Sequence, residues 1–284
     1  MSGGAPTRAP FGTRLRTAVA QRGNLCVGID PHPALLRAWG LPVDASGTAA
    51  FARRCLEAFG DLVPAIKVQV AFFEEHGSAG FEVLEEVLAS CGQSGALCIA
   101  DAKRGDIGST MQGYARAWLG DGSPLACDAL TVSPYLGVGA LDPAFEAAAD
   151  SGRGLFVLAR TSNPEAGELQ GAGGPGGSVA ASVVDEVGRR NAELSVPGPG
   201  SFGVVVGATV ADPPELSGLR GPVLMPGVGH QGADIGDVRR VAGPALPDTL
   251  VNISRHVLRQ GPDVDAMRAT VTGLVRDYQF APPT

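Results

Sequence analysis

Eight short apolar runs, separated by stretches of helical periodicity, limit this chain's fold more than any other feature. The runs cover residues 25–29, 65–70, 97–100, 127–132, 155–159, 202–206, 223–225 and 250–253. Each is too short for a helix and mostly apolar, as in the buried strands of a parallel sheet. The intervening pattern predicts helices over 49–60, 81–89, 110–119, 141–149, 179–190, part of 233–241 and 265–278, with a short helical crossover over 213–219. Eight β/α units with no break in composition predict an α/β fold, a closed (β/α)8 TIM barrel forming one domain over 1–284. An open doubly wound sheet also alternates. However, no GxGxxG follows the first run, which removes the simplest dinucleotide-binding form of that fold.

Composition excludes several function classes. The formal net charge of −7 argues against non-specific nucleic-acid binding, which needs a basic surface. No apolar run approaches the length of a membrane span. The first ten residues lack the apolar core of a secretory signal, so a cytoplasmic location is expected. Five cysteines without a CxxC pair point to reduced, structural thiols. The four histidines are scattered and show no metal-ligand spacing.

Charged residues recur where the apolar runs end, which in an α/β fold is the usual place for ligands and chemistry. Asp30 closes the first run, and Lys67 lies within the second. After the third, Leu97-Cys98-Ile99-Ala100 changes abruptly to Asp101-Ala102-Lys103-Arg104-Gly105-Asp106-Ile107. Ions at a barrel mouth must be hydrated or paired, and alternating Lys and Asp would pair them. A lysine in a strand can also point outward and snorkel. Arg160 follows the fifth run and Arg255 the eighth. Met225-Pro226-Gly227-Val228-Gly229-His230-Gln231-Gly232 follows the seventh, with glycines that let backbone donors approach a ligand. A plain turn would use similar glycines. Next to Arg255 they read better as a phosphate site between the last two loops. The glycine-rich segment 167–178 reads as a mobile loop on the active face or as an insert without a role.

From Gly28-Ile29-Asp30-Pro31 to Ile253-Ser254-Arg255, the chain resembles the orotidine 5'-phosphate decarboxylase family, in its longer bacterial branch. Asp101 to Ile107 match that family's D-x-K-x-x-D-I pattern, and Lys67 falls at its strand-two lysine. The resemblance implies decarboxylation of orotidine 5'-monophosphate to UMP and carbon dioxide, in pyrimidine biosynthesis, with no metal and no organic cofactor required. It implies a homodimer with shared sites, in which Asp30, Lys67, Asp101 and Lys103 form one subunit's charged network. Asp106, Ile107 and Thr110 would reach the partner's site. Lys103 would protonate C6, while Asp101 orients it and crowds the substrate carboxylate. Lys67 and Asp30 would meet the ribose. Ser162, or the adjacent Thr161, would meet the pyrimidine. Pro226 and Gln231 would bound the ring and phosphate, and Arg255 would bind the phosphate, with Ser254 where the family often has glycine. The competing readings are a metal-dependent sugar-phosphate decarboxylase or aldolase-like barrel, similar to 3-keto-L-gulonate 6-phosphate decarboxylase or hexulose phosphate synthase, and a phosphate-ligand binding barrel without turnover.

Overall fold

The computed structural model describes residues 8–174, 177–194, 198–229 and 232–280. The eight barrel strands are β1 (Leu25–Ile29), β2 (Ala65–Gln69), β3 (Leu97–Arg104), β4 (Ala129–Val132), β5 (Gly154–Arg160), β6 (Phe202–Val206), β7 (Val223–Met225) and β8 (Thr249–Ile253). They pair in chain order, all parallel, and β8 closes against β1. The expected TIM barrel is therefore the observed architecture.

Alternation along each strand divides the core into two layers. Outward residues such as Val27, Ile66, Leu130, Val157 and Val204 pack beneath the surrounding helices. Inward residues Cys26, Ala65, Ile99, Ala129, Phe156, Val205, Leu224 and Leu250 fill the barrel. Phe11, Leu15 and Val19 of α1 (Phe11–Arg22) join this inner cluster. Their four-residue spacing puts them on one helical face, and that face plugs the end where the strands begin. Phe11 meets Phe156 edge-on at 6.0 Å. Gly154 opens β5 without a side chain because a Cβ there would lie 2.3 Å from the Phe11 ring.

The outer layer contains α2 (Pro33–Ala38), α3 (Ala45–Phe59), α4 (Ala71–Glu74), α5 (Gly77–Ser94), α6 (Gly108–Leu119), α7 (Asp142–Ser151), α8 (Ala166–Gln170), α9 (Val179–Glu193), α10 (Ile235–Ala242), α11 (Arg255–Leu258) and α12 (Val264–Asp277). The helical crossover expected over 213–219 is not formed. Pro213 and Pro214 remove two successive amide donors, and the segment is irregular with one turn closing from Leu219 N to Leu216 O. The third strand does not end at Ala100 but continues through Arg104. Within 167–178 lie the end of α8 and an antiparallel pairing of Gly173–Gly174 with Gly177–Ser178. Among the described residues no helix is long and apolar enough to cross a membrane. All five cysteines are buried free thiols.

Phe11→Ala should cost about 3–5 kcal/mol in urea unfolding, because the inner barrel cannot collapse around the loss. Gly154→Ala should destabilise the native chain but cost markedly less alongside Phe11→Ala. Additive costs in the double variant would show that the two positions do not share the same space.

Candidate active site

The end of the barrel opposite α1 holds a cavity of about 260 Å³. One wall carries Asp30, Lys67, Gln69, Asp101 and Lys103, from β1, β2 and β3 or their ends. The facing wall is mostly apolar, with Leu158, Val205, Leu224 and Pro226, and the rim includes Ser254 and Arg255. Strand alternation produces this arrangement. Ala65 and Ile99 fill the inner core, so Lys67 and Asp101, two residues further along, also face inward, but at cavity level. Gly28 keeps room at the edge of the site, since a Cβ there would lie 2.0 Å from Ser254 Oγ.

The charged wall is one connected network. Lys67 Nζ donates to Asp101 Oδ2 at 3.0 Å and to Gln69 Oε1 at 2.9 Å, with Asp30 Oδ1 at 3.5 Å. Lys103 Nζ donates to Asp101 Oδ1 at 2.6 Å, and Thr131 Oγ1 donates to the same oxygen at 2.9 Å. Lys67 and Asp101 are both buried, at 5% and 8% exposure, so each depends on the other to remain charged. Burial opposes ionisation of Asp101, but the Lys67 and Lys103 ammonium groups outweigh it and hold the carboxyl well below the usual carboxylate range. Burial likewise opposes the charge on Lys67, and Asp101 and Asp30 outweigh it, raising the ammonium above its ordinary value.

Lys103 is held differently. Its backbone has φ +48°, a conformation that side-chain-bearing residues rarely adopt. Its amide donates to Thr131 Oγ1 at 2.9 Å, which fixes this turn of the chain. The pairing of β3 with β4 shifts register between Ala100 and Arg104, accommodating the departure. Lys103 thus leaves the wall with its side chain 45% exposed while its ammonium remains against Asp101. Beyond it, Arg104 pairs with Glu74 and lies over the rings of Tyr114 and Trp118. This anchors the strand end, and the chain turns away at Gly105, packed against the Ser133 carbonyl.

The structure brings Asp30, Lys67, Asp101, Lys103, Thr161, Pro226 and Arg255 around one cavity. Of the two serine/threonine candidates after β5, Thr161 lines it and Ser162 does not. Asp106, Ile107 and Thr110 do not line the cavity of their own subunit, and Ile107 is 61% exposed. Gln231 lies outside the described residues. From the segment 167–178, Leu169, Ala172, Gly173, Gly174 and Gly177 line a separate hollow with Tyr135 and Val138. Sequence reasoning missed Gln69, Thr131 and Asn252. Gln69 and Thr131 had a signal, since each is a polar residue at an inward position of an apolar strand. Asn252 lies within the quoted run Asn252-Ile253-Ser254-Arg255, where Arg255 drew the attention. Among the described residues no cluster of three or more His, Cys, Asp or Glu side chains is arranged to hold a metal ion.

Residues 23–270 match the family described as Orotidine 5'-phosphate decarboxylase / HUMPS family. The chain is 54% identical over 274 residues to orotidine 5'-phosphate decarboxylase of Corynebacterium efficiens, covering 96% of this chain and 98% of that one. Its fold superposes on a crystal structure assigned as orotidine 5'-phosphate decarboxylase from Streptomyces avermitilis with a TM-score of 0.91 and 50% identity, covering 96% and 95% of the two chains. UMP synthase of Leishmania donovani aligns at 29% identity and a TM-score of 0.78, covering 95% of this chain and 56% of that longer one.

Asp101→Ala should cost about 3–5 kcal/mol, because it leaves Lys67 buried without its main counter-charge. Lys103→Ala, at a half-exposed ammonium, should cost less than about 1 kcal/mol. The depressed Asp101 and raised Lys67 set the pH window. Their stabilisation should be complete between about pH 4 and 10, fading as acid protonates Asp101 or alkali deprotonates Lys67. The stability difference between the native chain and a Lys67→Met, Asp101→Asn double variant should therefore be flat from about pH 5 to 9. Below about pH 4 it should move against the native chain. Chemical denaturation across pH measures both effects.

Proposed function

The chain belongs to the orotidine 5'-phosphate decarboxylase / HUMPS family and is an enzyme that converts orotidine 5'-monophosphate to UMP; on that premise we propose that Lys103 is its proton donor. The observation that carries this reading is the 2.6 Å contact between the Lys103 ammonium and a buried Asp101 carboxylate that is itself held ionised by Lys67. When the bond from C6 to the carboxylate breaks, carbon dioxide leaves and the electron pair stays on C6. An ammonium already fixed beside that carbon stabilises the developing charge without reorganisation. It then gives its proton to C6, forming the C–H bond of UMP and leaving Lys103 as a neutral amine. Asp101, bonded to two lysines and Thr131, orients that ammonium.

The rest of the cavity divides the substrate between them. Asp30 and Lys67 face the ribose hydroxyls. Thr161 or Ser162 meets the pyrimidine, Pro226 bounds the ring, and Arg255 with Gln231 binds the phosphate. Phosphate binding at a distance from C6 supplies energy that assembles the site without touching the reacting bond. None of these steps calls on a metal, so chelation should leave turnover intact. Five buried free thiols suit a reducing, cytoplasmic setting.

The active unit in this reading is a homodimer. Asp106 and Thr110 sit beyond the turn at Gly105, outside their own cavity; Ile107 in the same segment is 61% exposed, and Tyr135 and Leu136, which follow the Ser133 that Gly105 packs on, are 77% and 55% exposed. Large apolar side chains so exposed suit a subunit interface, and a second copy docked there would bring Asp106 to its partner's cavity. This rests on the family reading and on that exposure.

Lys103→Ala should lose nearly all turnover, followed as loss of orotate absorbance, while keeping the native circular dichroism. Near-normal turnover would remove Lys103 from the proton transfer. Mixing inactive Lys103→Ala and Asp106→Ala subunits should restore up to about a quarter of native activity, since half the dimers would then hold one undamaged site. No recovery on mixing, with subunit exchange verified, would mean each subunit completes its own site.

A further inference from the structure

Lys103 is tied at both ends to the same two side chains. Its backbone N–H donates to Thr131 Oγ1 at 2.9 Å, Thr131 Oγ1 donates to Asp101 Oδ1 at 2.9 Å, and Lys103 Nζ donates to that same oxygen at 2.6 Å. The three contacts close a ring that starts and ends on one residue. The direction of every bond in it is fixed. A backbone amide and an ammonium can only donate, and an ionised carboxylate can only accept. The hydroxyl therefore takes the amide hydrogen on a lone pair and gives its single proton to Asp101.

Thr131 is fully buried and does not line the cavity, so its hydroxyl does not touch a bound substrate. The rest of β4, Ala129, Leu130 and Val132, is apolar and buried. A hydroxyl in such a strand costs free energy unless hydrogen bonds offset its desolvation, and both of its bonds go to the two residues that set the ammonium. The first meets β3 where its register against β4 slips, between Ala100 and Arg104. There Lys103 holds a φ of +48°, which persists only while its surroundings enforce it.

We infer that Thr131 is a positioning residue for the proton donor: its hydroxyl couples the strained main chain of Lys103 to the carboxylate that holds the Lys103 ammonium. This rests on the proposed function. A lysine carries its charge on a flexible four-carbon stem, and Asp101 by itself fixes only the tip. With the main chain bonded through Thr131 to the same carboxylate, the base and the tip of the side chain share one reference point. The ammonium then cannot shift without breaking a bond of the ring. The arrangement also outlasts proton transfer. Once Lys103 is a neutral amine, its charge-assisted bond to Asp101 is lost. Thr131 and Lys67 still hold the carboxylate, on Oδ1 and Oδ2 respectively. The half-exposed amine regains a proton from water in the same place.

The test compares Thr131→Val, which keeps the shape and removes the hydroxyl, with Thr131→Ser, which keeps the hydroxyl, in the full chain. Turnover of orotidine 5'-monophosphate is followed as loss of orotate absorbance, and UMP binding by calorimetry. Thr131→Val should lower kcat by about 10- to 100-fold, the scale of a small displacement at a reacting centre. KM and UMP affinity should stay native, because the lost contact acts on the transition state rather than on binding. Thr131→Ser should recover most of the lost kcat. If Thr131→Val folds poorly, Thr131→Ala takes its place in the same comparison. Native kcat per folded molecule at a lowered melting temperature would make the threonine structural only and overturn the assignment. A raised KM at native kcat, or equal loss of kcat in the valine and serine variants, would overturn it as well. Failure of the functional reading is distinct, since the native chain itself would then show no turnover.

Discussion

The ion pair between Lys67 and Asp101 is the interaction on which the site depends. Both groups are buried, and neither would stay charged at that depth alone. Together they place a permanent negative charge beneath Lys103 and a permanent positive charge beside Asp30. The pair stays ionised across the physiological range because each member shifts the other away from neutrality. Such a pair is a poor source of net stability, since desolvation offsets much of its attraction. Its value lies in fixed charge that needs no rearrangement when the substrate's charge moves.

The fold supplies this charge density at one end by finishing the core at the other. α1 closes the barrel's lower mouth with Phe11, Leu15 and Val19, so the inner core is apolar up to the level of Ile99 and Leu224. One strand step higher, the inward positions change character and become Lys67, Asp101, Thr131 and Asn252. The strands therefore serve stability below and chemistry above, with no loop needed to carry the central pair. Side chains held on strands are less free to wander than those on loops, which suits the proposed mechanism, in which an ammonium must stay at a single carbon. Lys103 is the exception. It sits where the ladder slips register, in a backbone conformation its neighbours must enforce.

The same register slip directs the chain out of the barrel toward Asp106. Arg104, anchored by Glu74 and two aromatic rings, and Gly105, packed on Ser133, mark the change of direction. Within six residues the sequence passes from one subunit's cavity to an exposed apolar surface. In a dimer, catalysis and assembly would then be joined by a few bonds of backbone.

Much of this was legible before any coordinates. The barrel followed from eight short, mostly apolar runs alternating with helical segments, with no break in composition. Asp101 and Lys103 stood out because charge broke an apolar run abruptly. The sequence did not reveal that β3 continues through those charges. Hydrophobicity stops at Ala100, yet backbone pairing does not need apolar side chains when the polar ones face a cavity. Nor did the pattern exclude a helix over 213–219, where two prolines outweighed it. Asn252, on the page, was a polar residue beside a conspicuous arginine. Only the folded chain showed that the residue lines the cavity while its Oδ1 is buried without a donor among the described residues. Composition and periodicity act between neighbours in the chain, so they determined the elements and their order. The pairing of Lys67 with Asp101, the exclusion of Asp106 from its own cavity and the isolation of Asn252 Oδ1 are relations between distant residues, and closure of the sheet decided them.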